Sequence, residues 1–271
     1  MPSSVTRDDD STASASAPAD REGGYAVWSP SISPGIGRDL TDEQKLAIAF
    51  RWLAREGFAE NLNGHITWQR EGTDTMLVNP WGLWWREIAA SDICEVDEDG
   101  HVVSGKWDVT PAIHIHTELH RVRPDARVVI HNHPYHVCVL AAMGVLPELV
   151  HQTASMFDGD LGLVAEYTGE IDSAELGTDL AERIGDASIV ILASHGVIVT
   201  GATLEQATYR AASIDRACRM SFDVQRAGGT ALPLAPGLVA GMKVSLMERG
   251  ADLYFDGIAR QLIRDEPDVL E

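Results

Sequence analysis

Cysteine is scarce. Only Cys94, Cys138 and Cys218 occur in 271 residues, far apart and never in a C-x-x-C arrangement. An odd count at such spacing excludes a disulfide framework and suits a reducing interior. Bases are also few, 21 Lys and Arg against 41 Asp and Glu, for a formal net charge of −20 at pH 7. A chain of that sign repels phosphate backbones and anionic lipid, so nucleic acid and a charged membrane surface are excluded as partners. No apolar run approaches the ~18 uncharged residues of a membrane span, and the N-terminus lacks the basic and apolar regions of a secretory signal. The expected location is the cytoplasm. Neither G-x-G-x-x-G nor G-x-x-x-x-G-K-[ST] occurs, which removes two common nucleotide cradles.

What is present is a 45% hydrophobic chain, enough for one sizeable core. Residues 1–24 are built from Ser, Ala, Asp, Thr and Pro with one large aliphatic residue, so an acidic, unstructured tail is expected there, ahead of a domain over 38–271. The stretch from Thr41 predicts a helix with Thr41 as cap, Leu46, Ala49, Phe50 and Leu53 on one face, and Gly57 as the stop. Residues 58–110 break into short β-rich pieces at His65–Gln69, Thr75–Val78, Ile93–Val96 and His101–Val103. Thr110-Pro111 opens a second helix, with Ile115, Leu119 and Val122 recurring at i, i+4 and i+7. Strands are predicted over Arg127–Asn132 and Ser188–Ala193. A long helix follows over 203–226, with Leu204, Ala207, Ala211, Ile214 and Cys218 inward and Glu205, Arg210 and Arg216 outward. This order predicts an α/β sandwich whose central sheet is mixed or mostly antiparallel and covered by helices.

Six of the ten histidines, His114, His116, His120, His131, His133 and His136, fall within 23 residues. In the strand V-V-I-H-N-H, His131 and His133 project to the same side about 6.5–7 Å apart at Cα, near enough to grip one metal ion. The competing reading is a pair of hydrogen-bonded sheet histidines. A catalytic metal needs a third neutral donor and an open position, and His195, ending a β-rich run before Gly196, is the natural third ligand. His116 and His120 stand four apart on the second helix and face one way, as acid–base groups beside a metal, as groups that orient its ligands, or as a solvated polar face. His136 is read as a structural or rim residue. Trp81, Trp84 and Trp85 beside the Asn79-Pro80 turn either wall a pocket for a planar ligand or belong to core or interface.

Four segments resemble the class II aldolase/adducin family: Gly64-His65-Ile66-Thr67; Val78-Asn79-Pro80-Trp81-Gly82-Leu83 with Glu87 and Ala90-Ser91-Asp92; His116 through Arg123-Pro124-Asp125-Ala126 to His131-Asn132-His133; and Ile191-Leu192-Ala193-Ser194-His195-Gly196. The resemblance covers roughly residues 40–225 and implies a class II aldolase-like fold. It also implies one divalent ion per chain, Zn²⁺, Mn²⁺ or Fe²⁺, on His131, His133 and His195. A homo-oligomer is implied too, a tetramer in the family pattern, with Tyr254 of the C-terminal segment a candidate to enter a neighbour's site. Asn63 and His65 join Trp81, Trp84 and Trp85 as candidate substrate-pocket residues, and His116 and His120 are the candidate catalytic groups. Family aldolases carry a glutamate a few residues before the helix histidine, and alignment on Arg-Pro-Asp puts Ala112 there.

That departure argues against an ordinary sugar-phosphate aldolase. The favoured expectation is a metal-dependent carbon–carbon lyase acting on a small-molecule carboxylate, a decarboxylase of a hydroxylated aromatic carboxylate or keto acid. The alternatives are an aldolase of a non-phosphorylated hydroxy-keto substrate, a non-haem Fe²⁺ oxygenase of aromatic keto acids, and a non-catalytic adducin-like interaction protein.

Overall fold

A computed structural model describes residues 33–271 apart from Thr168 and Pro233, together with the backbone of the paired two-residue strands β1 (Arg21–Glu22) and β2 (Tyr25–Ala26). The rest of the expected tail over 1–24 lies outside the described residues.

Helix α1 (Asp42–Arg55) begins where its capping chemistry dictates: Thr41 Oγ1 accepts the Gln44 N–H while Gln44 returns its side-chain oxygen to the Thr41 N–H. Eight strands then form one sheet: β3 (His65–Gln69), β4 (Met76–Val78), β5 (Cys94–Val96), β6 (Val102–Ser104), β7 (Val128–Asn132), β8 (Leu161–Val164), β9 (Ile189–Leu192) and β10 (Gly196–Gly201). Their order is β6-β5-β4-β3-β7-β10-β9-β8, antiparallel at every pairing but β8 with β9. The sheet is therefore mixed and mostly antiparallel. The edge strand β8 and the helix after it, α4 (Ala174–Ile184), were not anticipated, because L-G-L-V is too short a run to separate from loop.

The two-residue period divides the core. Ile66, Val128, Ile130, Ile189, Ile191, Val197 and Val199 face α1, α5 (Leu204–Arg226) and α7 (Ala251–Asp265). Val129, Val190, Leu192 and Ile198 face the other way, onto Ile115 and Leu119 of α2 (His114–Val122) and Leu180, Ala181 and Ile184 of α4. On α5, Leu204, Ala207, Ala211, Ile214 and Cys218 are all inaccessible, in agreement with the predicted inward face. Two helix-face expectations fail. Val122 is 50% exposed because it sits in the last turn of α2, beyond the packing surface. Arg210 folds back, its Nη1 donating to the Thr200 carbonyl near the end of β10 at 2.7 Å, since a long stem can lie along the structure while its head finds a partner.

Trp85 is core rather than pocket: 1% exposed, it meets Phe50 edge-on at 5.0 Å and Phe58 stacked at 6.2 Å, and its Nε1 donates to the Gly64 carbonyl. Trp85→Ala is expected to cost about 3–5 kcal/mol, measured by urea unfolding. Tyr254 accepts a hydrogen bond from Trp52 Nε1 at 2.7 Å and stacks on Tyr209 within its own chain. Among the described residues, no helix is long and apolar enough to cross a membrane.

Candidate metal centre

Antiparallel pairing sets His65 of β3 opposite His131 of β7. His133 follows one residue beyond the end of β7, on the same side as His131, and His195 sits in the turn between β9 and β10. That turn is shaped by two local requirements. Ser194 takes a left-handed conformation, φ 56°, and a Cβ on Gly196 would stand 2.5 Å from both the Asn132 carbonyl and His133 Cδ2. Glycine is thus what allows His195 to close on the other two. The ring centroids of His131, His133 and His195 lie 4.8–5.0 Å apart, and one ligating nitrogen from each falls within 4.8 Å of the others.

Two of the rings are oriented by their other nitrogen. His131 Nδ1 donates to the Val197 carbonyl at 3.0 Å, and His133 Nδ1 to Glu60 Oε2 at 2.7 Å, which leaves Nε2 of each as the donor for a metal. His133 Nε2 is buried without a hydrogen-bond partner among the described residues, a costly state that a coordinated cation relieves. Burial, then the neighbouring imidazoles, hold His131 well below the ordinary range, and burial with His133 pushes His195 down to about 4. Three imidazoles converging on one point fit a divalent transition ion with open positions. Asn132 locks the loop that supplies Glu60: its Oδ1 accepts the N–H groups of Glu60 and His133, and its Nδ2 donates to the Asn63 carbonyl. Glu60→Gln is expected to weaken metal affinity about 10–100-fold without unfolding the protein, read by competition with a chromogenic chelator.

The three histidines open into a cavity of about 260 Å³. Asn63, His65 and Trp81 line it, joined by Ala112, Ile115, Tyr167, Glu170 and Asp172. Trp84 does not line it. That side chain is 41% exposed with the Arg86 guanidinium over its ring, and only Trp81 of the three tryptophans reaches the cavity, because the turn fans them in different directions. His136 is structural, its Nδ1 on Asp215 at 2.8 Å.

His116 and His120 do not line the cavity, which corrects their reading as groups beside the substrate. They lie behind it, 0% and 6% exposed, because α2 packs its i, i+4 face flat on β3. His65 Nδ1 meets His116 Nε2 at 2.6 Å, and Thr67 Oγ1 lies 2.8 Å from His116 Nδ1 and 2.7 Å from His120 Nε2. Burial pushes His65 down to about 3 and holds His116 well below its ordinary range. Burial also brings His120 to about 4, against the Ala126 backbone, which favours the charged form from outside hydrogen-bond geometry. Glu60, Asn132 and Thr67 were not singled out from the sequence. Thr67 was reachable, two residues from His65 on a strand, whereas nothing local marks Glu60.

A histidine held neutral by burial binds its proton more readily in the unfolded chain, so stability is lost as pH falls below about 6.5 toward the folded value. For His120 alone, the shift from 6.5 to about 4 predicts a loss of about 2 kcal/mol between pH 7 and pH 5. Urea midpoints of metal-free protein at the two pH values should show it, with a smaller difference in His120→Gln.

The chain belongs to the class II aldolase and adducin family: the profile of the Class II Aldolase and Adducin N-terminal domain matches residues 44–222. It is similar to a 3,4-dihydroxyphthalate decarboxylase of Arthrobacter keyseri, 32% identical over 215 residues, 75% of this chain and 84% of that protein. An adducin-related protein of Schizosaccharomyces pombe is 34% identical over 189 residues, 63% of this chain and 56% of the relative. L-fuculose 1-phosphate aldolase from Glaciozyma antarctica PI12 superposes with a TM-score of 0.73 at 22% identity, covering 84% of this chain and 91% of that one, a likeness of fold.

Proposed function

We propose that this protein is a metal-dependent carbon–carbon lyase, and within that class a decarboxylase of a hydroxylated aromatic carboxylate or keto acid. The observation that carries the reading is the cavity itself: three converged imidazoles with His65 beside them, and Ala112 on the wall at the position where family aldolases carry a glutamate. Retro-aldol cleavage of the family kind commonly adds a phosphate pocket to these parts, whereas decarboxylation needs chelation of the carboxylate and protonation of the carbon left behind. His131, His133 and His195 would hold a divalent cation, Zn²⁺, Mn²⁺ or Fe²⁺, which would supply Lewis-acid stabilisation of negative charge on the substrate.

The chain's own groups do the rest. Trp81, Leu62, Ile115 and Ile171 give the cavity apolar surface for a planar ring. His65, neutral at pH 7, presents its Nε2 as the nitrogen not bound to His116 and carries the proton that replaces CO₂ on carbon. His116 holds that ring in place and is itself held by Thr67. The similarity to a dihydroxyphthalate decarboxylase supports the substrate class. A homo-oligomer, by family resemblance a tetramer, is part of the proposal.

The test is a panel of hydroxylated aromatic carboxylates and hydroxy-keto acids with the metal-loaded protein, following CO₂, aldehyde and O₂. Metal-dependent CO₂ release without O₂ uptake is expected. Aldehyde release instead identifies an aldolase, O₂ consumption with Fe²⁺ an oxygenase, and no turnover with metal bound an adducin-like role.

A further inference from the structure

We infer that His116, Thr67 and His120 form a proton conduit, connecting His65 in the cavity to a second opening at the other end of β3, beside the last turn of α2. The inference rests on the lyase reading of the cavity. Three hydrogen bonds join four side chains without a gap: His65 Nδ1 to His116 Nε2 at 2.6 Å, His116 Nδ1 to Thr67 Oγ1 at 2.8 Å, and Thr67 Oγ1 to His120 Nε2 at 2.7 Å. Both ring nitrogens of His116 are engaged, and the Thr67 hydroxyl sits between two imidazoles, where it can donate to one and accept from the other. His65 lines the metal-site cavity, and His120 lines a separate cavity of about 60 Å³ with Thr117, Gln69, Asp74, Glu98 and Arg121. That volume holds a few waters, and Asp74, Glu98 and Arg121 at its wall are exposed to solvent. His120 Nδ1 is buried without a hydrogen-bond partner among the described residues, and the Ala126 backbone lies close to the ring.

A purely structural network would not need this composition. An apolar contact between β3 and α2 would cement the layers without burying three imidazoles, each disfavoured when charged. Neutral imidazoles have one donor and one acceptor nitrogen each, so the chain has two consistent polarities. With every proton pointing inward, His120 Nε2–H donates to Thr67, Thr67 to His116 Nδ1, and His116 Nε2–H to His65. Reversing all of them gives the outward polarity. A concerted shift converts one into the other, moving one proton from end to end while no ring carries a charge.

Decarboxylation uses both directions. The substrate hydroxyl gives its proton to His65 Nε2 and one leaves at His120 Nδ1, setting the chain inward. When the C–CO₂ bond breaks, its electron pair stays on carbon, which takes the proton from His65 Nε2 while one enters at His120. The phenolate oxygen recovers a proton from water as product leaves. The sum is R–CO₂⁻ + H⁺ → R–H + CO₂, with the chain returned to its starting polarity. A substrate that fills the 260 Å³ cavity shuts out water on that side, so a path through the back of the site keeps the proton supply open.

Thr67→Val removes the central hydroxyl at nearly constant shape, and Thr67→Ser restores it. Solid-state NMR of zinc-loaded, ¹⁵N-histidine protein reads the tautomers without any substrate. Thr67→Val should shift the ring nitrogens of both His116 and His120, and Thr67→Ser should return them. Unchanged spectra for either ring overturn the connection. On a substrate that the wild type decarboxylates, Thr67→Val should lower kcat about tenfold or more, with KM and zinc content unchanged, and added imidazole should restore His120→Ala through the second cavity. Wild-type kcat in Thr67→Val, or His120→Ala indifferent to imidazole, overturns the conduit. Should the wild type decarboxylate nothing, the lyase reading falls, and the spectra still decide whether the four groups act as one chain.

Discussion

Replacing any one of His131, His133 or His195 by alanine is expected to abolish tight binding of a divalent ion while the protein stays folded. Each supplies one of three nitrogens within 4.8 Å of one another, and two nitrogens from a flexible surface would bind such an ion no better than many adventitious pairs. The loss should exceed the roughly 10–100-fold expected when only an orienting partner such as Glu60 is changed. Metal content by plasma mass spectrometry, beside a circular dichroism melt, measures both parts. The three variants should differ in stability in a way the contacts dictate. His131 is 3% exposed and bonded to Val197, so His131→Ala opens a buried gap and unpairs a carbonyl. Among the described residues the His195 ring makes no such bond to the sheet, so its variant should melt close to wild type. Full metal occupancy in all three variants would mean that the ion sits elsewhere.

His65→Gln should retain metal and lose turnover, with kcat down about 10²–10⁴-fold, the usual worth of a positioned proton carrier. The expectation follows from position. Of the three histidines on the β3–α2 contact, only His65 lines the cavity, whereas His116 and His120 act through it. His116→Gln should therefore show the smaller loss at full metal content. Loss of metal in His65→Gln would instead make His65 a fourth ligand, and its ring, 5.2 Å from that of His131, is close enough for the experiment to discriminate.

Much of this arrangement can be read along the chain because its signals are local. Alternation in V-V-I-H-N-H puts His131 and His133 on one side of a strand whatever the rest does, and the i, i+4 spacing of His116 and His120 puts them on one helix face. Capping at Thr41 and the apolar stripe of α5 are equally local, so both helices lie where the pattern predicts. Direction in space is not local. The same i, i+4 pair can look into a cavity or into a sheet, and only the docking of α2 on β3 decides that it looks into the sheet. The three tryptophans share one turn, yet one walls the cavity, one lies on the surface and one fills the core, because a turn sends successive side chains in different directions.

By itself, the sequence determined the family, from motifs spread over residues 40–225, and the strand and helix that carry the histidines, from spacing within each element. The tertiary structure alone decided three things. Glu60 and Asn132 come from a loop and a strand end over seventy residues apart to orient His133, Thr67 bridges two helix histidines, and β8 completes the sheet as its parallel edge. These are contacts between segments distant in sequence, and their partners are selected by the packing of whole layers, which no window of residues encodes.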